Sequence, residues 1–561
     1  MREKIEKIIF IITIIILSII MTIFINKKEG FHEDEIFSYG SSNYKLDNVY
    51  QRYGTKDALN KIIFDEILQG NVSQIISRIN NYITNPDEYN KKMEELKKEE
   101  VPIWKTKEEA KEYVTIGRGD IFNYFSVYYN QVRDVHPPLF YGLVHFVSSI
   151  AYGHFSKYII FSINIVFFIL SCIEIRKILK LLNKKYLSIP AILLYGLNIG
   201  TISTVIFLRM YQMLVFFTLV SLKLHIEIIK NDLEINNKIR NKLIATTILG
   251  FLTQYYFCIF ALIEFITLFI ILLKNRKYNT LKKYFKYHLI SAIIGVILFP
   301  AAIYHIFFSY RGVGASDLST SSIERILTYF KEICYSFSIP EIPFLIIFGI
   351  ILIVIIYKII KKNLNWKITS IIGIPVIIYF LIVCKISPQM SETAIIRYIT
   401  ILIPIISIIL ILILNEILNR ITNKKIVITF TILVLILIPE TYGLIKNKPR
   451  YLYEGYNKIK QIAEENKEMN LVYIVDNNFT YMNAMPEFLI YNKTLIINYN
   501  EDNLDILKEN DELKDEFILN IRKWMNYEEI LREVLETSGY SSYEVLLDSN
   551  ENESIIYKIS K

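Results

Sequence analysis

Two short polar stretches carry the residues best suited to chemistry. They are His32-Glu33-Asp34-Glu35 and Asp134-Val135-His136-Pro137-Pro138-Leu139, and they bracket the first large loop. Each sits where an apolar run meets a polar one, so both are expected at the same face of a membrane. A carboxylate at such an interface can act as a base, bind a metal or simply be solvated. His32, Glu33, Glu35, Asp134 and His136 could also assemble an oxygen and nitrogen site for a divalent cation such as Mg or Mn. The spacing does not decide between these roles. Pro137-Pro138 also has a plain reading, since Pro is favoured in the first turn of a helix.

The elements that must position these residues are apolar. Of 561 residues 53% are hydrophobic, and Ile-rich runs of roughly 17 to 25 residues recur, long enough to cross about 30 Å of hydrocarbon. The expected fold class is a polytopic α-helical membrane protein with a long helical first outer loop and a small C-terminal α/β domain. The run from Ile8 to Ile25 follows Arg2, Lys4 and Lys7 and lacks a small-residue cleavage site, so it reads as a retained span with its N-terminus inside. The formal charge of +8 is no nucleic-acid signature, because Lys and Arg cluster in short loops between apolar runs. Cys172, Cys258, Cys334 and Cys384 lie in or beside apolar runs without ligand spacing, which excludes a disulfide framework and a cysteine-built metal site.

Basic loops set the expected orientation. Arg176 to Lys185, Lys230 to Lys242, Lys274 to Lys283, Lys361 to Lys367 and Arg420 to Lys425 should be cytoplasmic. Outer turns then fall near Arg209-Met210-Tyr211, near Gln254-Tyr255-Tyr256, in the loop 309–341 and near Lys385 to Arg397. About 11 spans are expected, 13 by a more generous window, and the parity of residues 137–175 stays open. Glu264, inside an apolar run, should face the bundle in a structural role. Tyr255 and Tyr256 read as interfacial belt aromatics.

Residues 27–136 form a loop too long for a simple connection. Asp57 to Leu68 and Val72 to Ile83 have helical apolar spacing, and Thr106-Lys107-Glu108-Glu109 opens a third helix with a capping signal. Trp104, Tyr113, Tyr124, Tyr128 and Tyr129 would suit interfacial helices, and a small soluble subdomain is the other reading. The expected domains are thus 1–446 in the membrane and 447–561 outside it. In the latter, Leu471 to Val475, Thr494 to Tyr499 and Ser554 to Ile559 read as strands, and Tyr527 to Ser538 as a helix ending at Gly539. It has no Gly-rich phosphate loop, which points to packing or substrate presentation.

In motif order the chain resembles the GT-C superfamily of membrane glycosyltransferases. It is similar to the bacterial branch related to protein O-mannosyltransferases and the lipid A aminoarabinose transferase. Asp34-Glu35 matches that branch's acidic pair, and Asp134, His136, Pro137, Pro138, Leu139 and Tyr141 match its D-x-H-P-P stretch. Arg209 and Tyr211 match an Arg-x-Tyr element, and Arg397, Tyr398 and Pro404 a late Arg-Tyr with a following Pro. The likeness covers roughly residues 1 to 420.

The resemblance implies inverting transfer of a sugar from a polyprenyl-phosphate donor to an acceptor at the outer face of a bacterial plasma membrane. The acceptor would be a surface protein, a wall polymer or a glycolipid. Asp34 is then the general base. Arg209, Arg397 and Arg311 are phosphate ligands by charge-assisted hydrogen bonds, and Glu35, Asp134, His136, Tyr211 and Tyr398 line the donor and acceptor sites. The branch generally works without a metal, so no cofactor is expected. Arg209 and Arg397 would otherwise be snorkelling anchors. A transporter or flippase of lipid-linked saccharides, which would show internal repeats and charged broken helices, is the alternative outside enzymology. A membrane ligase or polymerase of surface polysaccharide, acting on lipid-linked saccharides, is the nearest enzymatic rival.

Overall fold

The computed structural model describes residues 2–53, 101–309, 322–360, 365–388, 394–508, 510–550 and 553–561, with a few positions between 73 and 91. The helices read over Asp57 to Leu68 and Val72 to Ile83 fall outside the described residues, apart from those few positions. The chain divides into two compact units. One comprises residues 1–28, 45–48 and 118–452, the other residues 29–44, 49–117 and 453–561.

The first unit is helical. Six of its described helices are long and apolar enough to cross a membrane: Lys4–Lys27, Lys157–Leu181, Tyr211–Lys230, Tyr256–Lys274, Trp366–Ile386 and Lys425–Lys446. Two bent pairs raise this to eight if each counts as one span: Lys185–Leu197 with Ile199–Ile206 at 62°, and Tyr278–Leu298 with Ala301–Phe307 at 101°. These counts are of the described residues, whereas the expected 11 refers to the whole chain. Leu139–Ile150 and Leu402–Leu418 form shorter apolar helices of 12 and 17 residues, the first within the stretch 137–175 whose parity stayed open. On the N-terminal helix Ile8, Ile12, Ile15 and Ile19 are exposed while Leu17, Met21 and Ile25 are buried, the pattern of a helix with one face to lipid and one to its neighbours.

The bends have local causes. Pro300 lacks the N–H that would continue the helix before it, and it opens the Ala301–Phe307 helix as its N-cap. At the other bend Asn198 caps the second segment, its side chain accepting from Thr201 N at 3.2 Å.

The second unit holds a six-stranded sheet: β1 (Lys105–Thr106), β2 (Leu471–Val475), β3 (Lys493–Asn498), β4 (Glu516–Arg522), β5 (Ser542–Ser549) and β6 (Ser554–Ser560), in spatial order β1-β3-β2-β4-β6-β5. The central β3, β2 and β4 are parallel, and β1, β6 and β5 join antiparallel. Every residue of β2 is buried, as expected of a parallel strand covered on both faces. Ile530, Leu531 and Val534 of the Tyr527–Ser538 helix pack against Val472, Ile474, Leu519 and Ile521 in one core. That helix stops at Gly539, whose φ of 76° is the left-handed cap geometry that favours glycine.

Three of these strands and the helix coincide with the sequence reading. Strands β4 and β5 were not anticipated, nor was β1, which pairs Lys105 with Thr494 and Thr106 with Lys493. Part of the long first loop therefore builds one unit with the C-terminal sheet, rather than standing with the membrane helices as the division at 446/447 had it.

Candidate functional site

In the helical unit, Asp134 closes the Tyr124–Arg133 helix and Pro138 opens the Leu139–Ile150 helix. The two helix ends hold the residues between them in a tight corner. There His136, buried, has Nδ1 2.7 Å from Oδ2 of Asp134. Arg209 donates through Nη2 to Nε2 of His136 at 3.3 Å and through Nη1 to the Tyr141 hydroxyl at 3.0 Å. A guanidinium can only donate, so Nε2 accepts and Nδ1 carries the proton offered to Asp134, a tautomer inferred from the bonds. Burial would raise the Asp134 carboxyl, but the His136 imidazole and then Arg209 outweigh it and hold it at about 2.

Arg209 is placed by a break in the chain. Residues 207–210 separate the helices Ile199–Ile206 and Tyr211–Lys230. Carbonyls left over at the helix end need partners, and Asn164 supplies them: its Nδ2 donates to Val205 O at 3.0 Å and Phe207 O at 2.8 Å. Phe207 in turn stacks on Tyr211, ring centroids 5.7 Å apart, and on Tyr451 at 4.0 Å. Arg397 lies 6.0 Å from the same Phe207 ring and 5.4 Å from that of Tyr398. Tyr398 is held by the Tyr379 hydroxyl, which donates to its carbonyl at 2.9 Å.

The structure thus gathers Asp134, His136, Arg209, Tyr211, Arg397 and Tyr398 in one region of this unit. Arg311 lies outside the described residues. Both guanidinium groups are buried, an arrangement that suits binding an anion more than anchoring at a headgroup layer. Beside the corner an open apolar groove of about 340 Å³ is lined by Tyr124, Pro138, Leu139, Phe146 and Leu252. Glu264 is buried as expected, with Ser221 donating to it and His225 at 3.5 Å. Tyr255 donates to Nδ1 of His305 at 2.9 Å, and Nε2 of His305 donates to Val132 O at 3.1 Å. Tyr255 therefore has a specific partner beyond its reading as a belt aromatic.

In the other unit, His32 is the N-cap of the Glu33–Asn43 helix. Its Nδ1 accepts from Asp34 N at 3.1 Å, and Glu35 accepts from His32 N at 2.7 Å. This reciprocal capping box fixes the start of the helix and occupies both His32 and Glu35. Glu35 is fully buried, whereas the Asp34 side chain is 19% exposed, so Asp34 is presented on the first turn of a rigid helix. Among the described residues no group of three or more His, Cys, Asp or Glu is arranged to hold a metal ion.

Sequence reasoning missed Asn164, a lone amide in an apolar run whose task appears only once the break at Phe207 is seen. It also left Tyr141 out of the site, although Tyr141 stands in the matched motif.

No family model and no curated protein matches the chain. In structure it is similar to ArnT from Cupriavidus metallidurans, crystallised in the apo state and bound to undecaprenyl phosphate. The TM-score is 0.45 for both, at 10% and 9% identity respectively, covering 75% of this chain and 87% of that one.

Proposed function

We propose that the chain is a GT-C-type glycosyltransferase that moves a sugar from a polyprenyl-phosphate donor to an acceptor at the outer face of a bacterial plasma membrane. The observation that carries the reading is the burial of two guanidinium groups in the same unit: that of Arg209, held by His136 and Tyr141, and that of Arg397, 6.0 Å from the ring of Phe207, two residues before Arg209. When the bond between sugar and phosphate breaks, negative charge grows on the leaving phosphate, and cations already fixed in a water-poor site stabilise it without reorganising. His136 and Tyr141 hold the Arg209 fork in place.

In this reading Asp34 takes the proton from the acceptor hydroxyl while the acceptor oxygen attacks the anomeric carbon opposite the phosphate, inverting its configuration. A carboxylate with a reference pKa of about 4 suffices where proton transfer is late and the sugar carbon is oxocarbenium-like. The chemistry assigned here needs no metal ion. The Asp34 helix and the C-terminal sheet would stand outside the cell, with a surface protein, wall polymer or glycolipid as acceptor.

The test is mass analysis of lipid-linked sugars and cell-surface glycans with and without the chain. It is paired with native mass spectrometry of the purified protein with undecaprenyl phosphate. Loss of one surface sugar and build-up of its lipid-linked form are expected. Unchanged glycans together with no retention of the lipid would reject the reading.

A further inference from the structure

The sheet of the second unit has a topological switch point that the transfer reading does not use. Strand β2 leads to β3 on one side of it, whereas β4, on its other side, leads on to β5 and β6. The connections leaving the carboxyl ends of β2 and β4 therefore diverge, and in open sheets with parallel strands such a crevice is where ligands bind.

The residues at those ends have a coherent chemistry. Trp524, just past β4, is 46% exposed, yet its indole N–H is fixed by donation to Asp476 Oδ2 at 2.8 Å, just past β2. The buried Arg522 guanidinium lies 5.4 Å from the Trp524 ring and 5.4 Å from that of Tyr473. It donates to Thr480 O at 3.1 Å and to Asn483, while its buried Nε has no partner among the described residues. Phe479 adds a second exposed ring. Asn478 and Asn500 hold the rim together, the first donating to Glu501 at 2.7 Å and the second to Asp476 O at 2.8 Å.

Charge decides the class of ligand. Arg52 is answered by Asp502 and Glu501, and Lys523 by Asp548. The rim is thus rich in amides and carboxylates but nearly balanced, which suits neither a phosphate nor a bare cation. A fixed, half-exposed indole beside amide and carboxylate oxygens suits a pyranose instead: its C–H face lies on the ring while neighbouring hydroxyls bond the polar rim.

We propose that this crevice is a saccharide-binding site for a neutral, hydroxyl-rich glycan. It goes beyond the transfer reading and does not depend on it. The test is saturation-transfer NMR on the full chain in a detergent without a sugar headgroup, with maltohexaose, mannohexaose and chitohexaose as separate probes. At least one should bind, with Kd on the order of 1 mM, and Trp524→Ala and Asp476→Ala should each weaken it roughly tenfold or more. Arg209→Ala, in the helical unit, should leave it unchanged. Absence of binding by all three probes at tens of millimolar overturns the proposal. So does binding that survives Trp524→Ala but is lost in Arg209→Ala.

Discussion

Arg209 and His136 are joined at 3.3 Å, and the contact ties two stretches of chain into one charged corner. Because the guanidinium occupies Nε2, the imidazole presents its proton to Asp134 at 2.7 Å. The imidazole, neutral in this tautomer, thus links a helix break to a helix end by hydrogen bonds at both nitrogens. Removing any member leaves the others buried with an altered charge balance.

Replacing Arg209 by Lys keeps the charge and loses the fork that meets His136 and Tyr141 together. Single-turnover transfer at saturating donor should fall roughly 10- to 100-fold, as expected for losing a charge-assisted hydrogen bond of about 1.5–3 kcal/mol, and further for Arg209→Ala. His136→Ala combined with Arg209→Lys should cost less than the sum of the two. Wild-type rates in Arg209→Lys would make the residue an anchor.

Asp34→Asn should lower transfer by about 10²- to 10⁴-fold while retention of undecaprenyl phosphate stays near wild type. Glu35→Gln acts elsewhere: its side-chain oxygen closes the capping box by accepting from His32 N, a role the Gln amide oxygen keeps, so stability and rate should both change little. Comparing thermal unfolding with rate for both variants separates the two roles, and equal rate losses in both would undo the assignment of the base to Asp34.

What the sequence made legible follows from how each signal is encoded. Leu471–Val475 is an uninterrupted apolar run, and such runs read as buried strands without help from the fold. Strand β4 escaped because Asn520 interrupts its pattern, and only the folded sheet shows Asn520 donating to Glu487 at 3.0 Å and accepting from Ser554. The polar corner was legible as a motif order, since Asp134, His136 and Arg209 keep their types whatever the span count. The break at 207–210 was legible as a turn near Arg209-Met210-Tyr211, because the basic loops on either side require one; its keeper Asn164 was not. A lone amide inside an apolar run leaves no trace of the distant carbonyls it will meet.

Burial pushes the Glu487 carboxyl up to about 7, against the pull of Tyr456, Arg522 and Asn520. A carboxyl raised in the folded state favours folding when protonated. Stability should therefore be greatest below about 4.5, its ordinary value, fall as pH rises towards 7 and then level off. The change is on the order of 3 kcal/mol. Thermal unfolding followed between about pH 5 and pH 8 reads it, and Glu487→Gln should flatten the curve. A wild-type curve that rises over this range would contradict the burial argument.

A methyl group on Gly40 would run into the Tyr113 ring at Cζ and its hydroxyl, and both residues are buried. Gly40→Ala should therefore destabilise by about 1–3 kcal/mol through overpacking, and Tyr113→Phe, which removes only the hydroxyl, should recover part of the loss. An unchanged unfolding midpoint for Gly40→Ala would show that the two helices slide apart freely.

Orientation is testable by single-cysteine labelling in a cysteine-free background. Positions 115 and 550 should react with an impermeant maleimide from outside the cell, and positions 236 and 275 only after the membrane is opened. Labelling of position 550 from the cytoplasm alone would refute the outer-face assignment.

The two-residue strand β1 has a consequence for the order of events during synthesis. Its partner β3 follows, among the described residues, every helix long and apolar enough to cross a membrane. While the ribosome is still producing the spans, Lys105–Thr106 and the Lys107–Val114 helix have nothing to pair with. The sheet can close only when the last fifth of the polypeptide has emerged. A premature stop before Lys493 would therefore abandon the first loop half-assembled, and quality-control proteases should recognise such products by that loop, far upstream of the missing residues.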